Sequence, residues 1–108
     1  MNGSYALFLK NALEGNAELA LSHATPEMER AIRSDHFTRT IADGYALIGR
    51  RADAVRWIRI AIDCGFINYP FLAQHAPFLS SVRTDPGFQE LMDELKVRWE
   101  AVVEWERP

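Results

Sequence analysis

Apolar residues recur every three or four positions along most of the chain, the spacing that gathers them on one face of an α-helix. The clearest run covers residues 51–64, where Val55, Ile58 and Ile62 form a stripe flanked by alanines. Gly65 then ends the run, because glycine readily takes the left-handed conformation that closes many helices. No stretch alternates apolar and polar residues for long enough to predict a strand. The pattern therefore predicts an all-α protein.

The same criteria predict further helices on both sides of this one. They cover residues 4–13, 17–24, 26–33 and 35–48, and a long segment that starts at residue 86. Residues that can cap a helix N-terminus stand before three of them: Thr25, Asp35 and Asp85. The long segment is apolar on one face and acidic on the other, which is typical of a helix that packs with one side only.

Residues 69–84 have a different character. The tripeptide Pro-Phe-Leu occurs there twice, at 70–72 and 77–79. Proline is well suited to the first position of a helix, where its missing N–H costs no helical hydrogen bond. This segment is therefore predicted to be an aromatic connector of two short helical turns, packed against the helices before it.

A glycine followed by an alanine five positions later occurs twice, 34 residues apart: Gly15 with Ala20, and Gly49 with Ala54. A repeat of this length is typical of stacked helical hairpins. Glycine permits the positive φ of a tight turn, and alanine lets two crossing helices approach closely. Because one hairpin cannot bury its own apolar face, hairpins of this kind stack and form interaction surfaces.

The second copy of this pattern carries the marks of a known family. It has a small residue, an aromatic residue, a turn glycine and two further alanines at matching positions: Ala42, Tyr45, Gly49, Ala54 and Ala61. Residues 35–68 therefore resemble a tetratricopeptide repeat, and residues 1–34 resemble a degenerate copy. The departures are Thr38, where the family has a bulky aromatic residue, and Phe66, where it has a closing proline.

The segment from Gly65 onward resembles the end of the tetratricopeptide arrays in some bacterial multidomain signalling proteins. This resemblance implies a single domain over residues 1–108, folded as a right-handed α-α superhelix that residues 85–108 close as a capping helix. It also implies a protein-binding module without catalytic activity. By position, the concave partner-binding face would carry Tyr5, Leu9, His36, Arg39 and Asp43.

Charge is distributed unevenly along the chain, although the net charge of the 108 residues is only −3. Residues 30–59 hold seven basic and three acidic residues, whereas residues 85–108 hold three basic and seven acidic ones. The basic middle is compatible with an acidic partner, with self-association, with a polyanion-binding regulatory domain, or with ordinary solvated helix faces. The acidic net charge does not favour nucleic acid as the partner.

The remaining features narrow the functional class. One cysteine, no signal peptide and no apolar run of about 18–20 residues favour a cytoplasmic protein without a membrane partner. The three histidines lack ligand spacing, so neither a metal nor another cofactor is expected. No nucleophile, acid and base converge in the pattern, which favours a non-enzyme. An alternative is that the segment is the structural cap or regulatory tail of a longer signalling protein.

Two tryptophans are candidate anchors for a partner, because binding energy concentrates on large aromatic residues. Trp57 lies near the edge of its helix stripe, and Trp105 lies near the end of the chain. Either could therefore be an exposed anchor.

Overall fold

The computed structural model describes residues 3–32 and 34–106, with the backbone alone at residues 35 and 36. Within these ranges the chain forms helices and turns and no strand, which confirms the all-α class. The helices are α1 (Gly3–Leu13), α2 (Ala17–His23), α3 (Pro26–Ala31), α4 (Asp35–Leu47), α5 (Arg51–Asp63) and α6 (Pro86–Glu106). A π-helical turn (Phe71–His75) and a 3₁₀ helix (Pro77–Val82) lie between α5 and α6.

The helix starts follow from local hydrogen bonding. Thr25 accepts a hydrogen bond from the Met28 N–H at 3.1 Å, as its predicted capping role requires. The cap of α4 is Ser34 and not the predicted Asp35, because the Ser34 hydroxyl accepts the Phe37 N–H at 3.2 Å. Two adjacent polar residues can each start a helix, and the pattern did not distinguish between them.

The two glycine turns have the same geometry. Gly15 and Gly49 have φ of +81° and +80°. The residues that follow them, Asn16 and Arg50, have φ and ψ of −90° and 74° and of −90° and 73°. Each of these residues donates its N–H to the carbonyl five positions earlier, at 2.8 and 2.9 Å. This pattern is the Schellman motif, so the sequence recurrence is also a recurrence of backbone structure.

Each turn joins a pair of packed helices, α1 with α2 and α4 with α5. The predicted small residues lie inside these contacts. Ala20 and Ala54 are fully buried at equivalent places, and Ala42 and Ala61 are fully buried as well. The first hairpin is shorter than the second. Helix α2 ends at His23, and Pro26 then starts the separate helix α3.

Gly44 sets the distance between the two hairpins. A Cβ atom at this position would lie 2.5 Å from Phe8 Cε2. Only glycine therefore lets the backbone of α4 come this close to the Phe8 ring of α1. Phe8 is completely buried and packs against Tyr45 with ring centroids 5.0 Å apart. The Tyr45 hydroxyl donates to Glu29 at 2.8 Å, and burial together with that carboxylate raises the pKa of Tyr45.

Residues 71–82 pack against α4 and α5. Leu72, Leu79 and Val82 are fully buried, and the Ser81 hydroxyl donates to the Ala46 carbonyl at 3.2 Å. The connector is therefore packed and helical, as predicted. Its first turn is wound more loosely than an α-helix, with the Ala76 N–H bonded to the Phe71 carbonyl at 2.8 Å.

The first half of α6 packs against α5 and the second half extends past the core. Phe88, Leu91, Met92 and Leu95 are buried. After Leu95 the residues of α6 that the structure describes are exposed or half-buried, up to Trp105 at 84% exposure. The face predicted to be apolar is thus covered over about half its length.

Candidate functional site

The α1–α4 pocket is a concavity of about 110 Å³ between the two hairpins and the 3₁₀ helix. Its wall is almost entirely apolar, and it is lined by Leu9, Leu13, Thr40, Asp43, Gly44, Leu47 and Phe78. Three of the apolar side chains also reach solvent: Leu13 is 60%, Phe78 43% and Leu47 38% exposed. Large apolar residues that surround a concavity are a common feature of ligand and partner sites.

Equivalent positions of the two sequence copies build this pocket. Leu9 and Asp43 are 34 residues apart, and so are Leu13 and Leu47. They meet because Gly44 lets α4 lie close against α1. The structure therefore brings together Leu9 and Asp43, two of the residues predicted to lie on the concave face.

Asp43 is the charged residue of the pocket. It is only 6% exposed, and its Oδ2 accepts a hydrogen bond from Arg39 Nη1 at 2.9 Å. Its Oδ1 is shielded from solvent and has no hydrogen-bond partner among the described residues. Burial raises the pKa of the Asp43 carboxyl to about 6, although the Arg39 guanidinium favours the charged form.

Arg39 is held by aromatic rings as well as by Asp43. Its guanidinium carbon lies 5.2 Å from the centroid of the Phe71 ring and 5.7 Å from that of Phe66. These distances fit cation–π contacts, and the side chain is only 16% exposed. Arg39 therefore links α4 to the connector, and little of the Arg39 side chain is open to a partner.

Tyr5 also serves packing. It is 5% exposed, its ring meets Phe37 edge-on at 5.3 Å, and its hydroxyl is hydrogen-bonded to Thr40. A residue at this depth offers almost no surface to a partner, so its assignment to an open face is wrong. The side chain of His36, the fifth residue predicted for this face, lies outside the described part of the structure.

The two candidate tryptophan anchors differ. Trp105 is 84% exposed, as predicted. Trp57 is completely buried, so its assignment as a possible exposed anchor is wrong. Helix α5 contacts α4, the 3₁₀ helix and α6, so it buries a wider face than its stripe of β-branched residues indicated.

Most of the arginine-rich middle is engaged in ion pairs. Arg56 pairs with Glu29 at 3.0 Å and with Asp53 at 3.3 Å, and Arg59 pairs with Glu94 at 3.1 Å. Arg50 pairs with Asp53 at 3.0 Å. Glu29 and Glu94 lie outside residues 30–59 and so offset part of the excess positive charge of that segment, which weakens the case for a polyanion site.

Among the described residues, no three His, Cys, Asp or Glu side chains are grouped as a metal site would require. No helix in this part of the chain combines the length and the apolar character needed to cross a bilayer.

The fold and the pocket together define an all-helical protein with an open, mainly apolar concavity between its first two hairpins. Comparison of the chain with protein-family models, with curated proteins and with solved structures gave no match. The resemblance to tetratricopeptide repeats therefore depends on the residues of this chain alone.

Proposed function

We propose that the chain is a protein-binding module of tetratricopeptide type that holds a partner polypeptide on the face formed by α1 and α4. The observation that carries this proposal is the α1–α4 pocket, part of whose lining comes from equivalent positions of two copies, each with the same glycine turn between its helices. A surface built in this way is preformed, so little conformational entropy is lost when a partner binds.

The exposed apolar rim supports the same function. Leu13, Leu47 and Phe78 lie around a concavity with room for one side chain. An extended segment that places one anchor in the pocket and rests on this rim would bury these residues. Anchors of this kind account for most of the affinity of small interfaces.

The tetratricopeptide-type superhelix belongs to the same proposal. The 3₁₀ helix packs on α4, and α6 packs on α5. In the proposed superhelix, the connector and α6 together take the place of a third, irregular hairpin. Phe78 follows Gly44 by the same 34-residue interval and lines the same pocket. In this arrangement α6 is the terminal helix of the stack.

A peptide selection tests the function. Random peptides displayed on phage are selected on the immobilised chain, and their affinities are measured by fluorescence anisotropy. Leu47→Asp, which places a charge on the apolar rim, is expected to weaken binding at least about tenfold. Ala52→Asp is the matched control, because it adds the same charge at an exposed position of α5. Failure to enrich peptides, or equal binding to Leu47→Asp, would refute the proposal.

A second surface suits the alternative role of a cap or regulatory tail. The outer half of α6 exposes Val97 at 71% and Trp105 at 84%. If this helix end is the contact with a larger parent protein, Trp105→Ala should abolish that contact and leave peptide binding at α1 and α4 intact. The reverse result would assign the contact to the α1–α4 face.

A further inference from the structure

We propose that the α1–α4 pocket binds a lysine side chain of the partner polypeptide, with the aliphatic stem on the apolar wall and the ammonium group on Asp43. This inference rests on the proposed function and names the residue that the face recognises. It combines two independent observations, the shape of the pocket and the unpartnered oxygen beside it.

The size of the pocket limits the occupant to one slender side chain. Its volume is about 110 Å³, and an apolar cavity of roughly 150 Å³ is known to hold one benzene molecule. Leu9, Leu13 and Leu47 supply aliphatic surface for an unbranched stem. A lysine stem gains from such contact while its charged end remains free to bond.

The chemistry of Asp43 selects the end group. One carboxylate oxygen is bonded to Arg39, and the other has no donor although the residue is more than nine-tenths buried. A buried acceptor left without a donor is unfavourable, so a ligand that brings a donor gains more than one that does not. Because Oδ1 is covered in the free protein, binding of the ammonium group requires the carboxylate to turn about its terminal torsion, whose energy minimum is broad.

The same geometry disfavours arginine and neutral residues. A guanidinium prefers two carboxylate oxygens at once, and Arg39, held against two aromatic rings, already occupies Oδ2. An ammonium group is a compact cation that needs only one open oxygen. A purely apolar side chain would contact the pocket lining but would leave Asp43 Oδ1 without a hydrogen-bond donor.

Amide NMR on the isotopically labelled full chain tests the proposal with two small probes. The first is N-acetyl-lysine N-methylamide, and the second is its analogue in which a methyl group replaces the ammonium group. Both are expected to shift the amides of Thr40, Gly44 and Leu47. The lysine probe is expected to bind at least about tenfold more tightly, as befits a hydrogen bond between charged groups. Equal affinities, or shifts confined to other surfaces, would overturn the proposal.

Matched variants locate the effect. Asp43→Asn is expected to remove the preference for lysine, whereas Asp53→Asn, which changes the net charge equally, should keep it. Leu13→Trp, at a position 60% exposed, should cover the pocket and weaken both probes without disturbing Asp43. It keeps the proposal testable if Asp43→Asn fails to fold. Unchanged binding in Leu13→Trp would place the lysine elsewhere and refute the pocket.

The selected peptides separate this inference from the proposed function. If they bind at Leu47 but tolerate replacement of every lysine by the methyl analogue, the lysine site is wrong and the protein-binding role stands. If the lysine probe binds the pocket while peptide selection fails, the site stands and the protein-binding role is wrong.

Discussion

Single residues determine where the pocket lies and how it is charged. Gly44 brings α4 close enough to α1 for positions of both copies to share one concavity, and Asp43 places a mostly buried carboxylate beside it. Leu9 and Asp43 could be predicted to share one face from the sequence, and both line the pocket. The position of the Arg39 side chain, which bonds to Asp43, could not be predicted, because Arg39 also rests on the ring of Phe71, about 30 positions further along the chain.

Asp43 should make stability depend on pH. Its pKa is raised from 3.8 to about 6 in the folded state, so the protonated form favours folding. The stability this gives is complete below the unfolded pKa and is lost as the pH rises through about 6. The free energy of unfolding of the natural chain should therefore rise relative to that of Asp43→Asn as the pH falls from 7.5 to 5. Urea denaturation at several pH values measures this, and a constant difference would contradict it.

Gly44→Ala should destabilise the protein although alanine favours helix. The new methyl group would lie 2.5 Å from the buried Phe8 ring, and overpacking of this kind costs roughly 1–3 kcal/mol, more than the helix-propensity gain of about 1 kcal/mol. Thermal denaturation measures the loss. Gly3→Ala, with open space around its Cβ, is the control, and Phe8→Leu should restore part of the stability in the Gly44→Ala background.

Secondary-structure elements were the most predictable part of the fold, because their ends depend on nearby residues. Glycine at positions 15, 49 and 65 ends three helices, each with positive φ. The exposure of Trp57 was predicted wrongly because α4 and α6 cover α5 on more than one side, and the stripe of one helix does not reveal its neighbours. The choice of Ser34 over Asp35 as the cap depends on a single hydrogen bond.

The two glycine turns should respond alike to substitution. Neither Gly15 nor Gly49 has an atom within 4 Å of its ideal Cβ, so an alanine there is penalised by its backbone conformation alone. Gly15→Ala and Gly49→Ala should each lower the free energy of unfolding by about 1–2 kcal/mol, with a smaller loss for asparagine. Chemical denaturation of the four variants tests this. Unequal losses at the two positions would show that the turns are not equivalent.

Across the whole molecule, stability should be concentrated in the two hairpins and the inner half of α6. The molecule measures 48 × 28 × 18 Å, and the described residues of α6 beyond Leu95 contribute none of its buried core. Amide hydrogen exchange is expected to be slow over residues 88–95 and to become fast toward residue 106. Uniform protection along α6 would mean that its outer half is covered in solution, as self-association would cause.

The congruence of the two turns also bears on how such a chain can change in length. Asn16 and Arg50 leave their glycines with the same dihedral angles to within a degree. If residues between the two glycine turns were duplicated, the backbone would therefore leave each turn in the same direction relative to the helix before it. Duplication of one 34-residue unit would lengthen the protein by one helical hairpin. It would add another pocket between hairpins and leave the existing glycine turns unchanged.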